Sequence, residues 1–173
     1  MTSTFEKPDT GTDAAAGELT SSGPILVATD GTDSSESALK AAALLALHDD
    51  VSVTVLSVLE PLPLVAADYG MMIPPVESDQ ARRQLLFERV KAQVLAAAPS
   101  TTGWTVDLRD GDPPSVIARV AREVKARLIV LGLGHHELLD RLFGGETALH
   151  VLRRSRIPVL AVPPGFNHLP RRA

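Results

Sequence analysis

Arg127-Leu-Ile-Val-Leu131, Gly132-Leu-Gly134, Gly144-Gly145-Glu146-Thr147 and Pro158-Val-Leu-Ala-Val162 follow one another in the last third of the chain, and their reading decides the fold. The first is a short apolar run bounded by glycine, which reads as a buried strand, and Gly132-Leu-Gly134 reads as the tight turn that leaves it. A loop leads to the second glycine pair, a short helix from about Thr147 to Arg154 follows, and Pro158–Val162 reads as another buried strand. A strand, a glycine-rich loop, a helix N-terminus and a further strand form the phosphate-cradling plan of many nucleotide-binding α/β proteins, because free N–H groups and the helix dipole converge where the loop meets the helix.

Upstream, the same alternation repeats. Ile25-Leu-Val-Ala-Thr29 is an apolar run that ends in the turn Asp30-Gly31-Thr32. Asp33 and Glu36 have N-cap and N3 spacing, so a helix is expected to begin at Asp33 and to bury Ala38, Ala41, Ala42 and Leu45 on one face. His48-Asp49-Asp50 ends it, and Val51–Val58, rich in β-branched residues, reads as a strand. Residues 59–77 carry Pro61, Pro63, Gly70, Pro74 and Pro75 and read as a long irregular connection. The spacing of Leu86, Val90, Val94 and Ala97 predicts a helix over 78–97 with a buried face. Trp104–Leu108 reads as a more polar strand suited to a sheet edge. Asp112 is then placed as N-cap and Pro113 as first residue of a helix that buries Ile117, Val120, Ala121 and Val124.

The order β-α-β-α-β-α-β-α-β implies a parallel sheet with helices on both faces and right-handed crossovers. Ligands of such sheets bind beyond the strand carboxyl ends, where strand order reverses. If the first and fourth strands are neighbours, Asp30-Gly31-Thr32 and Gly132-Leu-Gly134 face one crevice. Residues 1–22 read as a flexible tail, 23–164 as one α/β domain, and 165–173 as a C-terminal tail.

Composition excludes several functions. With 45% apolar residues but only 3% aromatic, the core is built from Ala, Val, Leu and Ile, as in a helix-covered parallel sheet. A net charge of −4 without a basic block argues against nucleic-acid binding, which needs clustered Lys and Arg. The chain has no cysteine, which removes disulfides, thiol chemistry and zinc-thiolate sites. No apolar run approaches a membrane span and no leader-like segment opens the chain, so a cytoplasmic location is expected.

Several local matches in one order now carry a resemblance. Ile25-Leu-Val-Ala-Thr-Asp-Gly-Thr32 with a Ser-rich helix entry, Gly111-Asp-Pro-Pro114, Leu128-Ile-Val-Leu-Gly132 and Arg156-Ile-Pro-Val-Leu-Ala-Val162 together resemble the universal stress protein family over about 23–164. The resemblance implies a five-stranded parallel sheet in the order 3-2-1-4-5. It also implies a homodimer joined through the last strand, Pro158 to Val162, acting through further protein partners. Adenine-nucleotide contacts would come from Ala28, Thr29, Asp30 and Val58 on the adenosine side and from Leu131, Gly132, His135, Gly145, Glu146 and Thr147 on the phosphate and ribose side. ATP is the implied ligand, with magnesium only alongside it.

Nucleotide-binding members carry a Gly, two residues, a second Gly, nine residues, then Gly followed by Ser or Thr. In an ungapped comparison Gly132 and Gly145 match the first and third glycines, whereas His135 and Glu146 stand at the second Gly and the hydroxyl position. A one-residue slip restores Gly134 and Gly144 but places Gly145 at the hydroxyl position. His135 adds a side chain where backbone would approach phosphate, although its imidazole can also donate to one. Glu146 brings a carboxylate to a helix start, where it satisfies the free donors itself and repels an anion. Thr147 offers a replacement hydroxyl one residue later.

The other polar groupings are weaker. His135-His136-Glu137 with Asp140 fits no standard zinc spacing, and Asp30 with Asp33 could hold magnesium but reads more simply as turn and cap. No nucleophile elbow is present. The expected function is a dimeric binding or regulatory module with weak, altered or absent nucleotide binding and no catalytic residues. The alternative is an ATP-dependent switch with slow hydrolysis or self-phosphorylation.

Overall fold

A computed structural model of the chain describes residues 23–61, 79–98, 104–133 and 145–166. The expectations for the 1–22 tail, for most of the 59–77 connection, for the C-terminal residues from 167 onward and for His135 with its neighbours lie outside the described residues. Nine elements alternate along the chain: β1 (Ile25–Ala28), α1 (Asp33–Asp49), β2 (Val53–Leu59), α2 (Asp79–Ala97), β3 (Trp104–Asp110), α3 (Pro113–Glu123), β4 (Leu128–Gly132), α4 (Gly145–Arg154) and β5 (Val159–Val162). The strands form one parallel sheet, as the alternation of elements predicts, in the order β3-β2-β1-β4-β5 that the family resemblance implies.

β1 is the central strand because it has no polar face. Ile25, Leu26 and Val27 are all buried, and alternate residues feed opposite layers. Ile25 and Val27 join Val53, Val55 and Val130 beneath Leu39 and Ala42 of α1 and Val90 and Val94 of α2. Leu26 joins Leu56, Ile129 and Leu131 beneath Ile117 and Val120 of α3 and Ala148 and Val151 of α4. β3 is the polar edge strand expected from its sequence, with no fully buried residue. Among the described residues no helix is long and apolar enough to cross a membrane.

The elements differ from expectation mainly at their ends. β1 stops at Ala28 and β2 starts at Val53, while β3 runs on to Asp110 because Val58 and Leu59 still have partners in Arg109 and Asp110. α4 begins at Gly145, two positions before the expected Thr147. The start of α1 is a correction of substance. Its N-cap is Thr32, not Asp33, so Asp33 becomes the first helical residue and Glu36 is left out of any capping box. Glu36 instead pairs with Lys40 one turn on, at 2.8 Å. The α3 start is as predicted: the Asp112 carboxylate accepts from the Ser115 N–H at 3.2 Å, with Pro113 at the first helical position.

Candidate functional site

The carboxyl end of β1 is the focus of the molecule. Ala28 pairs with Leu56 of β2 on one side and Leu131 of β4 on the other, so the three strand ends lie side by side. The strand order reverses there, which is the place where parallel α/β sheets open a ligand crevice. The chain leaves β1 through Thr29-Asp30-Gly31-Thr32. Gly31 has φ +76°, a left-handed conformation that glycine adopts without strain. A side chain there would also collide with the Arg89 stem, whose Cδ lies 2.8 Å from the position of a Cβ.

Asp30 is exposed, and its carboxylate is built into the turn. One oxygen accepts from the Thr32 N–H at 3.0 Å and from the Thr32 hydroxyl at 2.6 Å, an Asx turn closed by both donors. The other oxygen has no partner among the described residues. Thr32 spends its hydroxyl on Asp30 and makes no side-chain cap to α1.

Thr29 faces the opposite layer from Ala28. Its buried hydroxyl lies 2.6 Å from the Ser35 hydroxyl, donates to the Gln93 side-chain oxygen at 2.7 Å and accepts from the Gly31 N–H at 3.0 Å. The Gln93 amide nitrogen donates to the Thr32 carbonyl at 2.6 Å, and the single Ser35 hydroxyl proton serves either Thr29 or the same carbonyl, which lies 2.8 Å away. The Ser57 hydroxyl of β2 is buried and has no hydrogen-bond partner among the described residues. I-to-i+7 neighbours on α2 therefore hold the turn: Leu86 and Arg89 lie against Gly31, and Gln93 binds Thr29 and Thr32.

On the other layer Ala28, Val58 and Leu131 pack in the same apolar cluster. Gly132 ends β4 half-exposed, and the Leu133 N–H continues the ladder to the Val162 carbonyl at 2.8 Å. Gly145, Glu146 and Thr147 are the first three residues of α4. Ala148 and Val151 anchor that helix in the core, which fixes where its N-terminus begins.

Charges collect on the far side of the crevice, at the ends of β2 and β3. Burial raises the Glu60 carboxyl above the ordinary glutamate range, and the negative charge of Asp112 adds to the shift. The Glu60 carbonyl accepts from Arg82 at 3.2 Å, and Arg83 bridges to Asp110. Asp112 is held below the ordinary aspartate range, chiefly by the Ser115 side chain and also by the Ser115 N–H and Arg154. Arg154 reaches Asp112 and Ser115 from the last turn of α4, tying two helices together.

The structure thus gathers Ala28, Thr29, Asp30, Val58, Leu131 and Gly132 at one end of three adjacent strands. It turns Thr29 toward α2 and sets Gly145, Glu146 and Thr147 at a helix start, while His135 lies outside the described residues. Sequence reasoning missed Gln93 and Arg89. The signal for Gln93 was present: it lies three residues after Val90 and seven after Leu86, so a polar side chain borders the buried face of α2.

A parallel sheet with this order and a reversal point between β1 and β4 defines a Rossmann-like α/β fold. The chain belongs to the universal stress protein family, whose model matches residues 22–163. It is 29% identical over 142 residues to a universal stress protein of Methanocaldococcus jannaschii, covering 80% of each chain. Among solved structures it is similar to a universal stress protein in complex with cAMP, at 25% identity and TM-score 0.58 over 83% of this chain and 99% of that one. A universal stress protein family member from Burkholderia pseudomallei is similar at 25% identity and TM-score 0.56, over 83% and 98% of the two chains.

Proposed function

We propose that this chain is a regulatory binding module that takes the adenosine part of an adenine nucleotide at the β1–β4 crevice and holds phosphate weakly. The observation that carries the reading is an asymmetry at the crevice. Ala28, Val58 and Leu131 gather at the same strand ends as Asp30, which keeps one carboxylate oxygen free among the described residues. That oxygen suits a ribose hydroxyl, the group an acidic residue commonly binds in dinucleotide folds. The α4 start, by contrast, carries Glu146 as its second residue. A carboxylate at a helix start competes with an incoming phosphate for the free N–H groups. At ~4 Å one like-charge pair costs roughly 1–4 kcal/mol, or about one to three decades of affinity. The cAMP-bound relative supports an adenine nucleotide as ligand class. The reading includes a homodimer through the last strand: β5 is a sheet edge whose outer side is unpaired among the described residues. No group-transfer step is assigned to the site.

The test is calorimetric titration with ATP and magnesium, and with AMP, of the wild type and of Glu146→Ser. Weak wild-type binding that tightens ten- to a thousandfold for ATP in the variant supports the reading. Micromolar ATP binding by the wild type replaces it with the nucleotide-switch alternative. Absence of binding by both proteins leaves a protein-interaction role for the dimer.

A further inference from the structure

We infer that Gln93, on α2, is a positioning residue that aims the Asp30 carboxylate at the nucleotide ribose. The inference deepens the nucleotide reading of the crevice and rests on it. Gln93 bridges two ends of one turn that are far from it in sequence. Its side-chain oxygen accepts from Thr29 at 2.7 Å, and its nitrogen donates to the Thr32 carbonyl at 2.6 Å. The amide cannot be reversed, because the Thr32 carbonyl accepts only and needs the NH2 side. Thr32 in turn holds Asp30 through its N–H and its hydroxyl. The relay from α2 to the exposed carboxylate is therefore Gln93, Thr32, Asp30.

The network is more than a helix needs to start. A cap for α1 requires one acceptor at its first N–H groups, and Thr32 does not provide it from its side chain. The Thr32 hydroxyl and N–H both go to Asp30, and its carbonyl takes the Gln93 amide besides the Ser35 N–H of the first helical turn. Gly31 supplies the left-handed step of the turn, and the overlying Arg89 stem leaves no room there for a side chain. Preorganising an acceptor in this way removes the ordering cost that a mobile aspartate would incur on binding. Thr29, buried and wholly engaged by Ser35, Gln93 and Gly31, is the anchor of the relay.

The experiment compares AMP with 2′,3′-dideoxy-AMP on the full chain, by calorimetry, for the wild type, Gln93→Met and Gln93→Glu. Met matches the size of Gln without its hydrogen bonds. An ionised Glu keeps the acceptor for Thr29 but loses the donor to Thr32. The wild type is expected to prefer AMP about tenfold, the worth of a hydrogen bond to a charged group. Both variants are expected to lose that preference while binding the dideoxy nucleotide as the wild type does. Equal weakening of both ligands marks general damage to the fold and overturns the inference, as does an unchanged preference in either folded variant. A wild type that binds both ligands equally removes the ribose role of Asp30 and the inference, and leaves the nucleotide reading standing. A wild type that binds neither ligand overturns both.

Discussion

The starts of α1 and α3 both lie at the carboxyl end of the sheet, yet they are built on opposite principles. α3 is self-sufficient: Asp112 caps Ser115, Pro113 presets the first helical φ, and Arg154 adds a charge contact. Every one of these groups serves the helix. At α1 the residue in the cap position accepts the Ser35 N–H with its carbonyl, which also takes the Gln93 amide, but gives its hydroxyl to Asp30 and contributes no side-chain cap. The contrast separates a helix start that stabilises itself from one whose donors and acceptors fix a neighbouring carboxylate. Local rules are broken where a site is being shaped.

The comparison breaks most severely at Gly31. Gly31→Val forces a β-branched residue to φ +76° and into the Arg89 stem. A loss of about 2 kcal/mol is expected, a fall in Tm of roughly 4–8 °C, together with loss of AMP affinity. Retained affinity at normal Tm would show that the turn is not tightly specified.

Asp112→Ala tests the other start. It should cost about 1 kcal/mol at neutral pH and leave nucleotide affinity unchanged. The sign with pH follows from the depressed Asp112 pKa. A carboxyl lowered by folding adds stability above its unfolded value of 3.8 and loses it as pH falls through the folded value. The difference between wild type and variant in chemical denaturation should therefore hold from pH 7 down to about 4 and shrink below that.

Thr32→Ala sharpens the contrast with the smallest stability effect. Its side chain makes no cap bond, so less than about 0.5 kcal/mol is expected, half or less of the Asp112 effect. Because the same change removes one of the two bonds that hold Asp30, AMP affinity should fall although stability hardly does. A stability loss equal to that of Asp112→Ala would make the two helix starts equivalent after all.

How much of this was legible in the sequence follows from the range of each interaction. The α3 start was readable because cap, proline and apolar face are all encoded within a few residues. The strands were readable because parallel strands buried on both faces are continuous apolar runs. The α1 start misled for the same reason: Asp33 and Glu36 satisfy the local capping rule, but Thr32 is held by a side chain from α2, and the helix begins there. Thr29 is a ligand contact only by the family resemblance. Its hydroxyl is engaged by Ser35 and Gln93, and nothing in residues 25–32 announces that.

The sequence by itself determined the alternation of elements, the parallel sheet, the edge character of β3, the family and the presence of Glu146 where the motif has a hydroxyl residue, since these rest on periodicity and residue type along the chain. The tertiary structure decided which layer each of these side chains joins. It set Ala28, Val58 and Leu131 on one face and Thr29 on the other, and brought Gln93 from 61 positions away onto the Thr32 carbonyl. The physical reason is that a pleated strand fixes only alternation, while the partner each face meets depends on how the crossover helices pack.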